Sequence, residues 1–232
     1  MLFGVDDGAS DEKQMYEMLE QSYRDGVRAI CLTPHFSPYL YGNTFEKSEQ
    51  SFAILREYAE KNFPDMQLYL GHELGYHNGA MEALRNGSCR SLAGSRYVLV
   101  DFPERVDFFE ITSSLDALKG EGYIPILAHA ERYTCLHDKD SWFISFINGG
   151  GVVQLNASSV LGSWGKTAKR QWLHLVKEGF VRVIASDGHD PKRRPPQMSG
   201  CIKFLKKYCG EEEIRFLMWK NAWRIVHDLP IE

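Results

Sequence analysis

The chain has 232 residues, a net charge of −4 at pH 7 and a hydrophobic share of 44%. That balance argues against a broad electrostatic surface for nucleic acid. No apolar run approaches the roughly eighteen residues of a membrane span, and the acidic start Met1-Leu2-Phe3-Gly4-Val5-Asp6-Asp7 is not a signal peptide.

Five cysteines (Cys31, Cys89, Cys135, Cys201, Cys209) form no C-x-x-C pair, so a reducing, cytoplasmic setting fits better than a disulfide framework or zinc knuckle. No linker or low-complexity stretch divides residues 1–232, which read as one domain. The first helical pattern starts at an N-cap of Ser10 or Asp11, places Met15, Met18, Leu19 and Tyr23 on one face, and ends before Gly26. Short buried strands are predicted at Val27–Thr33, Gln67–Gly71, Tyr97–Asp101, Ile124–Ala128, Val152–Asn156 and Val181–Ser186. Helical spacing recurs between them, over Glu46–Asn62, Asn78–Asn86, Asp107–Gly120, Asp138–Gly149 and Lys166–Gly179. Repeated βα units predict an α/β protein with a parallel sheet and helices outside it.

Nearly every predicted strand leads into a polar residue able to bind a metal or an oxyanion: His35, Glu73, Asp101, His129, Asn156, and Asp187 with His189. In a parallel barrel those ends share one face. Singly, each has a plain alternative: His35 as a loop histidine, Glu73 as a capping residue, Asp187-Gly188-His189 as a turn, Asp6-Asp7 as an acidic pair before a helix. Jointly, acids and imidazoles gathered at one end of a sheet need a divalent cation to offset their burial. Arg132 follows His129 closely, and Lys192, Arg193 and Arg194 follow His189. Guanidinium groups beside a metal centre point to a phosphate-bearing substrate, because they fork onto phosphate oxygens. Cys209 and Arg215 match a C-x5-R spacing, but Glu211, Glu212 and Glu213 between them would repel phosphate, so the match reads as accidental. Neither a G-x-S-x-G elbow nor a Walker loop is present.

Several strings occur in a fixed order: Val5-Asp6-Asp7-Gly8-Ala9, Thr33-Pro34-His35, Gly71-His72-Glu73-Leu74, Ser95 to Phe102, Ala128-His129-Ala130-Glu131-Arg132-Tyr133, Gln154-Leu155-Asn156 and Ala185-Ser186-Asp187-Gly188-His189. The set resembles the PHP-type protein-tyrosine phosphatases of bacterial capsule and exopolysaccharide clusters. The resemblance implies a distorted (β/α)7, TIM-like barrel and up to three divalent metals (manganese, zinc or iron). It also implies hydrolysis of phosphotyrosine on the tail of a cognate bacterial tyrosine kinase; the charge balance and the lack of a long apolar run predict neither nucleic acid nor membrane insertion. Carried onto these residues, Glu73 would bridge the first two metals, Asp187 would hold the first, Asp101 and His129 the second, and Asp7, His35 and His189 the third. Arg132 and Arg194 would grip the phosphate as catalytic residues.

Two departures from the family pattern stand out. Position 101 is Asp where Glu is usual, a carboxylate one methylene shorter. The family's opening His-x-His strand has no counterpart after Met1, so the first strand and two ligands of the first metal are expected to be missing, with Met1 an internal methionine of a longer protein. Two alternatives follow: a PHP phosphoesterase for a small phosphate ester such as histidinol phosphate, and a weakly active or inactive phosphotyrosine-binding module.

Overall fold

In the computed structural model, residues 1–42, 44–163 and 165–232 are described. The elements run α1 (Glu12–Arg24), β1 (Ala29–Leu32), β2 (His35–Phe36), α2 (Pro38–Tyr41), α3 (Phe45–Asn62), β3 (Gln67–Leu70), β4 (Glu73–Gly75), α4 (Ala80–Arg85) and β5 (Tyr97–Asp101). They continue with α5 (Phe108–Gly120), β6 (Ile124–Leu127), α6 (Asp140–Asn148), β7 (Val152–Asn156), α7 (Ala157–Val160), α8 (Gly165–Lys177), β8 (Val183–Ala185), α9 (Ser199–Leu205), α10 (Glu211–Arg215) and α11 (Asn221–Val226). Every strand pairing is parallel. β2, β4, β5, β6, β7 and β8 lie side by side in that order as a curled half-barrel, and β1 pairs with β3.

The first two predicted strands end near their expected bounds, and each is followed by a further short strand. The strand predicted over Val27–Thr33 is observed as β1, and Pro34, which has no N–H to give the ladder, separates it from β2, which was not predicted. The second ends at Gly71-His72, where a Cβ on Gly71 would stand 2.9 Å from the Leu92 backbone. His35 and Glu73 therefore lie on strands rather than beyond them, and they are direct register partners. β5 and β7 keep their predicted bounds.

Period-two alternation sorts the sheet's two faces. Val98, Val100, Leu127, Val153, Leu155 and Ile184 join Leu115, Phe143 and Trp172 from the helices in the largest core. Tyr97, Ile126, Val152 and Val183 form the other face, sealed by Ile225 of α11. Asp101 and Asn156 fall on this second face, in step with Tyr97 and Val152. A third core lies under α1 and α3, where Met15, Met18, Leu19 and Leu55 are fully buried. The N-cap of α1 is Asp11, whose carboxylate accepts from Gln14 N at 2.8 Å.

α1 also anchors the loop that leaves β8. The Asp25 carboxylate accepts from Met198 N (2.6 Å), Ser199 N (2.9 Å) and Ser199 Oγ (2.5 Å), capping α9 across 173 residues of sequence. Gln21 Nε2 donates to Pro191 O at 3.1 Å. Burial opposes the charge on Asp25, but the hydrogen bonds from Ser199 and Met198 outweigh it and hold the carboxyl below the usual aspartate range. With a depressed folded pKa, its stabilisation is full above the unfolded pKa, near 4, and fades as pH falls through the folded value. Asp25→Asn should therefore cost about 2 kcal/mol at neutral pH and less at pH 3, as read by urea denaturation at both pH values.

Candidate metal and phosphate site

The site forms at the carboxyl end of the curled sheet. His35 comes from β2, Glu73 from β4, Asp101 from β5, His129 from the residue pair after β6, and Asp187 and His189 from the loop after β8. Asp7 joins them from the N-terminal turn. The donor atoms of Asp7, His35 and His189 all lie within 4.8 Å of one another, as do those of His35, Glu73 and Asp101. His35 links the groups: its Nε2 is 3.5 Å from Asp7 and its Nδ1 is 3.6 Å from Glu73. His129 Nε2 is 3.0 Å from Glu73 and 3.4 Å from Asp101. His189 Nε2 is 3.5 Å from Asp7.

Two of these donors sit on strained backbone. His129 (φ 34°) and Asp187 (φ 51°) adopt the left-handed region, at about 1–2 kcal/mol each for a residue with a Cβ. Strain of this kind collects where a function holds it. Gly188 between Asp187 and His189 has no room for a side chain, since a Cβ would lie 2.8 Å from Pro196 Cα.

A second layer of hydrogen bonds orients the donors. His189 Nδ1 lies 2.9 Å from the carbonyl of Asp187, which accepts its proton and leaves Nε2 as the lone pair facing Asp7. His35 N donates to Asp6 Oδ2 at 2.7 Å. His129 N donates to Gln154 Oε1 at 2.6 Å. Tyr133 OH donates to Asp101 Oδ1 at 3.0 Å and accepts from Phe102 N at 3.1 Å. The buried Glu131 accepts from Asn156 N at 3.3 Å. None of the roles of Asp6, Gln154, Glu131 and Tyr133 was read from sequence. All four stand inside the quoted strings, but their partners are set by the fold.

The electrostatics fit a cationic guest. Asp101 is pushed up, first by burial and also by the nearby Glu73, despite His129. Burial works against a charged His129, but Glu73 outweighs it and raises the imidazole. Asp187 is buried yet held below the usual carboxylate range by Arg194, His189, His129 and Arg132. Its Oδ2 accepts from Arg132 (2.9 Å), Arg194 (2.6 Å) and Asn156 Nδ2. The Met1 amino group is also buried beside Asp6, Asp7 and Asp187, and its pKa is lowered by that burial. Imidazole and carboxylate donors without thiolate suit zinc, manganese or iron. The cysteines are all free, and burial raises the Cys209 thiol to about 11, so Cys209 and Arg215 supply no thiolate chemistry. His72, next to Glu73, belongs elsewhere. It is fully buried, accepts from Arg90 N at 2.8 Å, and burial lowers it to about 4, which keeps it neutral.

Fold and site together define a parallel α/β half-barrel with a carboxylate–imidazole cation site beside two converging arginines. Residues 1–227 match the family described as capsular polysaccharide synthesis, CpsB/CapC, and the chain belongs to that family. It is 29% identical to the tyrosine-protein phosphatase CpsB of Streptococcus agalactiae over 231 residues, covering 97% of this chain and 95% of that protein. It is 31% identical to the putative tyrosine-protein phosphatase CapC of Staphylococcus aureus over 215 residues, covering 92% and 84%. A solved structure, from work on YwqE of Bacillus subtilis and CpsB of Streptococcus pneumoniae as metal-dependent tyrosine phosphatases, superposes with a TM-score of 0.88 at 28% identity, covering 100% of this chain and 93% of that one.

Tyr133→Phe should remove the donor that orients Asp101 and leave Phe102 N without its acceptor. The expected result is a tenfold to hundredfold loss of divalent-metal affinity, roughly the effect of deleting an outer-layer partner, measured by calorimetric titration of Mn²⁺ or Zn²⁺. Unchanged affinity would remove Tyr133 from the site.

Proposed function

We propose that this chain is a metal-dependent protein-tyrosine phosphatase of capsule or exopolysaccharide synthesis, acting on the phosphotyrosine tail of a bacterial tyrosine kinase. The observation that carries the reading is the convergence of Arg132 and Arg194 on one oxygen of Asp187, beside the donors that His35 links together. Two guanidiniums aimed at a single carboxylate oxygen are equally suited to fork onto phosphoryl oxygens. The Asp7 side chain is half exposed, so the donor cluster reaches the surface, which favours a phosphate carried on a peptide over a small ester enclosed in a deep pocket.

The ligand sets follow the same reading. Asp7, His35 and His189 would hold one cation. Glu73, Asp101 and His129 would hold another, and Glu73 and Asp187 would contribute to a third, within a distorted (β/α)7 barrel. Bound divalent cations lower the pKa of water and offset charge on phosphoryl oxygens. The chain's own part is to seat the phosphoryl group between Arg132 and Arg194, with Asn156 holding Asp187 in place from below. Both arginines then stabilise charge on the equatorial oxygens.

Chelator-treated protein should lose turnover of a phosphotyrosine peptide and regain it with Mn²⁺, Zn²⁺ or Fe²⁺. Turnover indifferent to chelation would overturn the reading. Arg132→Ala and Arg194→Ala should each lower kcat by about 10²–10³-fold, with Arg→Lys recovering only part because an ammonium cannot fork. Steady-state kinetics of the metal-loaded variants decide this.

A further inference from the structure

α2 stands at the rim of the site and contributes no buried residue to any core. Tyr39 is 78% exposed and Leu40 76%. The Tyr41 ring stacks on that of His35, centroids 5.7 Å apart and planes within 9°. Tyr39 meets His77 edge-on at 5.6 Å, and His77 is fixed by its Nδ1, 2.7 Å from the carbonyl of Gly75 at the end of β4. Burial first, and then the carboxylates of Asp7, Asp6, Asp101 and Glu73, raise the Tyr41 phenol above its ordinary value. α2 follows β2, and the loop after β8 that carries Arg194 curls back to it, with the His189 ring 5.9 Å from that of His35. The aromatic rim and the arginine-bearing loop thus border the same donors.

Exposed aromatic side chains grouped at the mouth of a polar site are placed to meet a ligand. Tyrosine is well suited to that contact, because it offers a large rigid face with only two torsions to order.

We infer that Tyr39 and Tyr41 form the aryl-recognition wall of this site, taking the ring of an aryl phosphate monoester while Arg132 and Arg194 hold its phosphoryl group. The wall sets a preference for aryl over alkyl phosphates through ring–ring contact, which a phosphoserine side chain cannot make. This inference deepens the phosphatase reading and depends on it for the identity of the substrate.

The test separates binding of the ring from leaving-group chemistry. Benzylphosphonate and methylphosphonate carry the same head group, and neither is hydrolysed. Their inhibition constants against p-nitrophenyl phosphate turnover are compared on the full, metal-loaded protein. Wild type should favour benzylphosphonate by about tenfold, the upper end of one aromatic pair. Tyr41→Ala and, independently, Tyr39→Ala should shrink that ratio severalfold, and Tyr41→Phe should retain it. A wild-type ratio in both alanine variants overturns the inference. So does an equal loss of affinity for both phosphonates, which would make the tyrosines supports of the donor cluster instead. If the metal-loaded protein turns over no aryl phosphate, the phosphatase reading fails on its own. Calorimetric binding of the two phosphonates then still decides whether the wall discriminates.

Discussion

Gathering Asp7, Glu73, Asp101 and Asp187 around three imidazoles at one end of a sheet is an electrostatic cost that the surrounding structure is arranged to meet. Two like charges about 4 Å apart repel by roughly 4 kcal/mol at an effective dielectric near 20. The chain's compensations are visible residue by residue. Arg132, Arg194 and Asn156 converge on Asp187. Tyr133 donates to Asp101, and His129 sits against Glu73. What remains, an acid-rich, nitrogen-bearing donor set within a few ångströms, is the environment in which divalent cations bind.

The same demand explains features far from the donors. The loop carrying both His189 and Arg194 has little regular structure of its own. It is held from below by α1, through Gln21 and the triple hydrogen bond of Asp25, and from within by His189 N donating to Arg194 O at 2.9 Å. Left-handed backbone at His129 and Asp187 bends the chain as it leaves β6 and β8. Burial of the strands in two cores, one against the helices and one under α11, supplies the rigidity that keeps those bends in place.

Much of the architecture was legible in the sequence, for a local reason. β5 and β7 are continuous apolar runs of the kind buried parallel strands require, and their bounds were read correctly. α1, α3, α4, α5, α6 and α8 were found within a few residues from their helical spacing, most sharply where a cap coincided, as at Asp107, whose carboxylate accepts from Glu110 N. The strands predicted before Pro34 and up to Gly71 ended at the right places, but β2 and β4 beyond them were missed, because two or three residues are too few for a strand pattern to show. α2, α7 and the helices from Ser199 onward were also missed. α2 and α7, of four residues each, are too short for periodicity to show, and α9 takes its cap from Asp25, a residue 174 positions earlier.

The sequence by itself determined the donor types, their order along the chain and their arrival after successive strands, since these depend only on residue identity and local hydrophobic pattern. The tertiary structure decided which donors meet: that His35 is shared between two groups, that His72 is core while its neighbour Glu73 is site, and that Tyr133, Gln154 and Asp6 orient the ligands. It also decided that both arginines reach one oxygen of Asp187, and that two tyrosines rim the cluster of donors, whose role as metal ligands belongs to the proposed function. Those outcomes depend on sheet curl, register and the period-two choice of face, and a change of one residue in register would send each side chain to the opposite side.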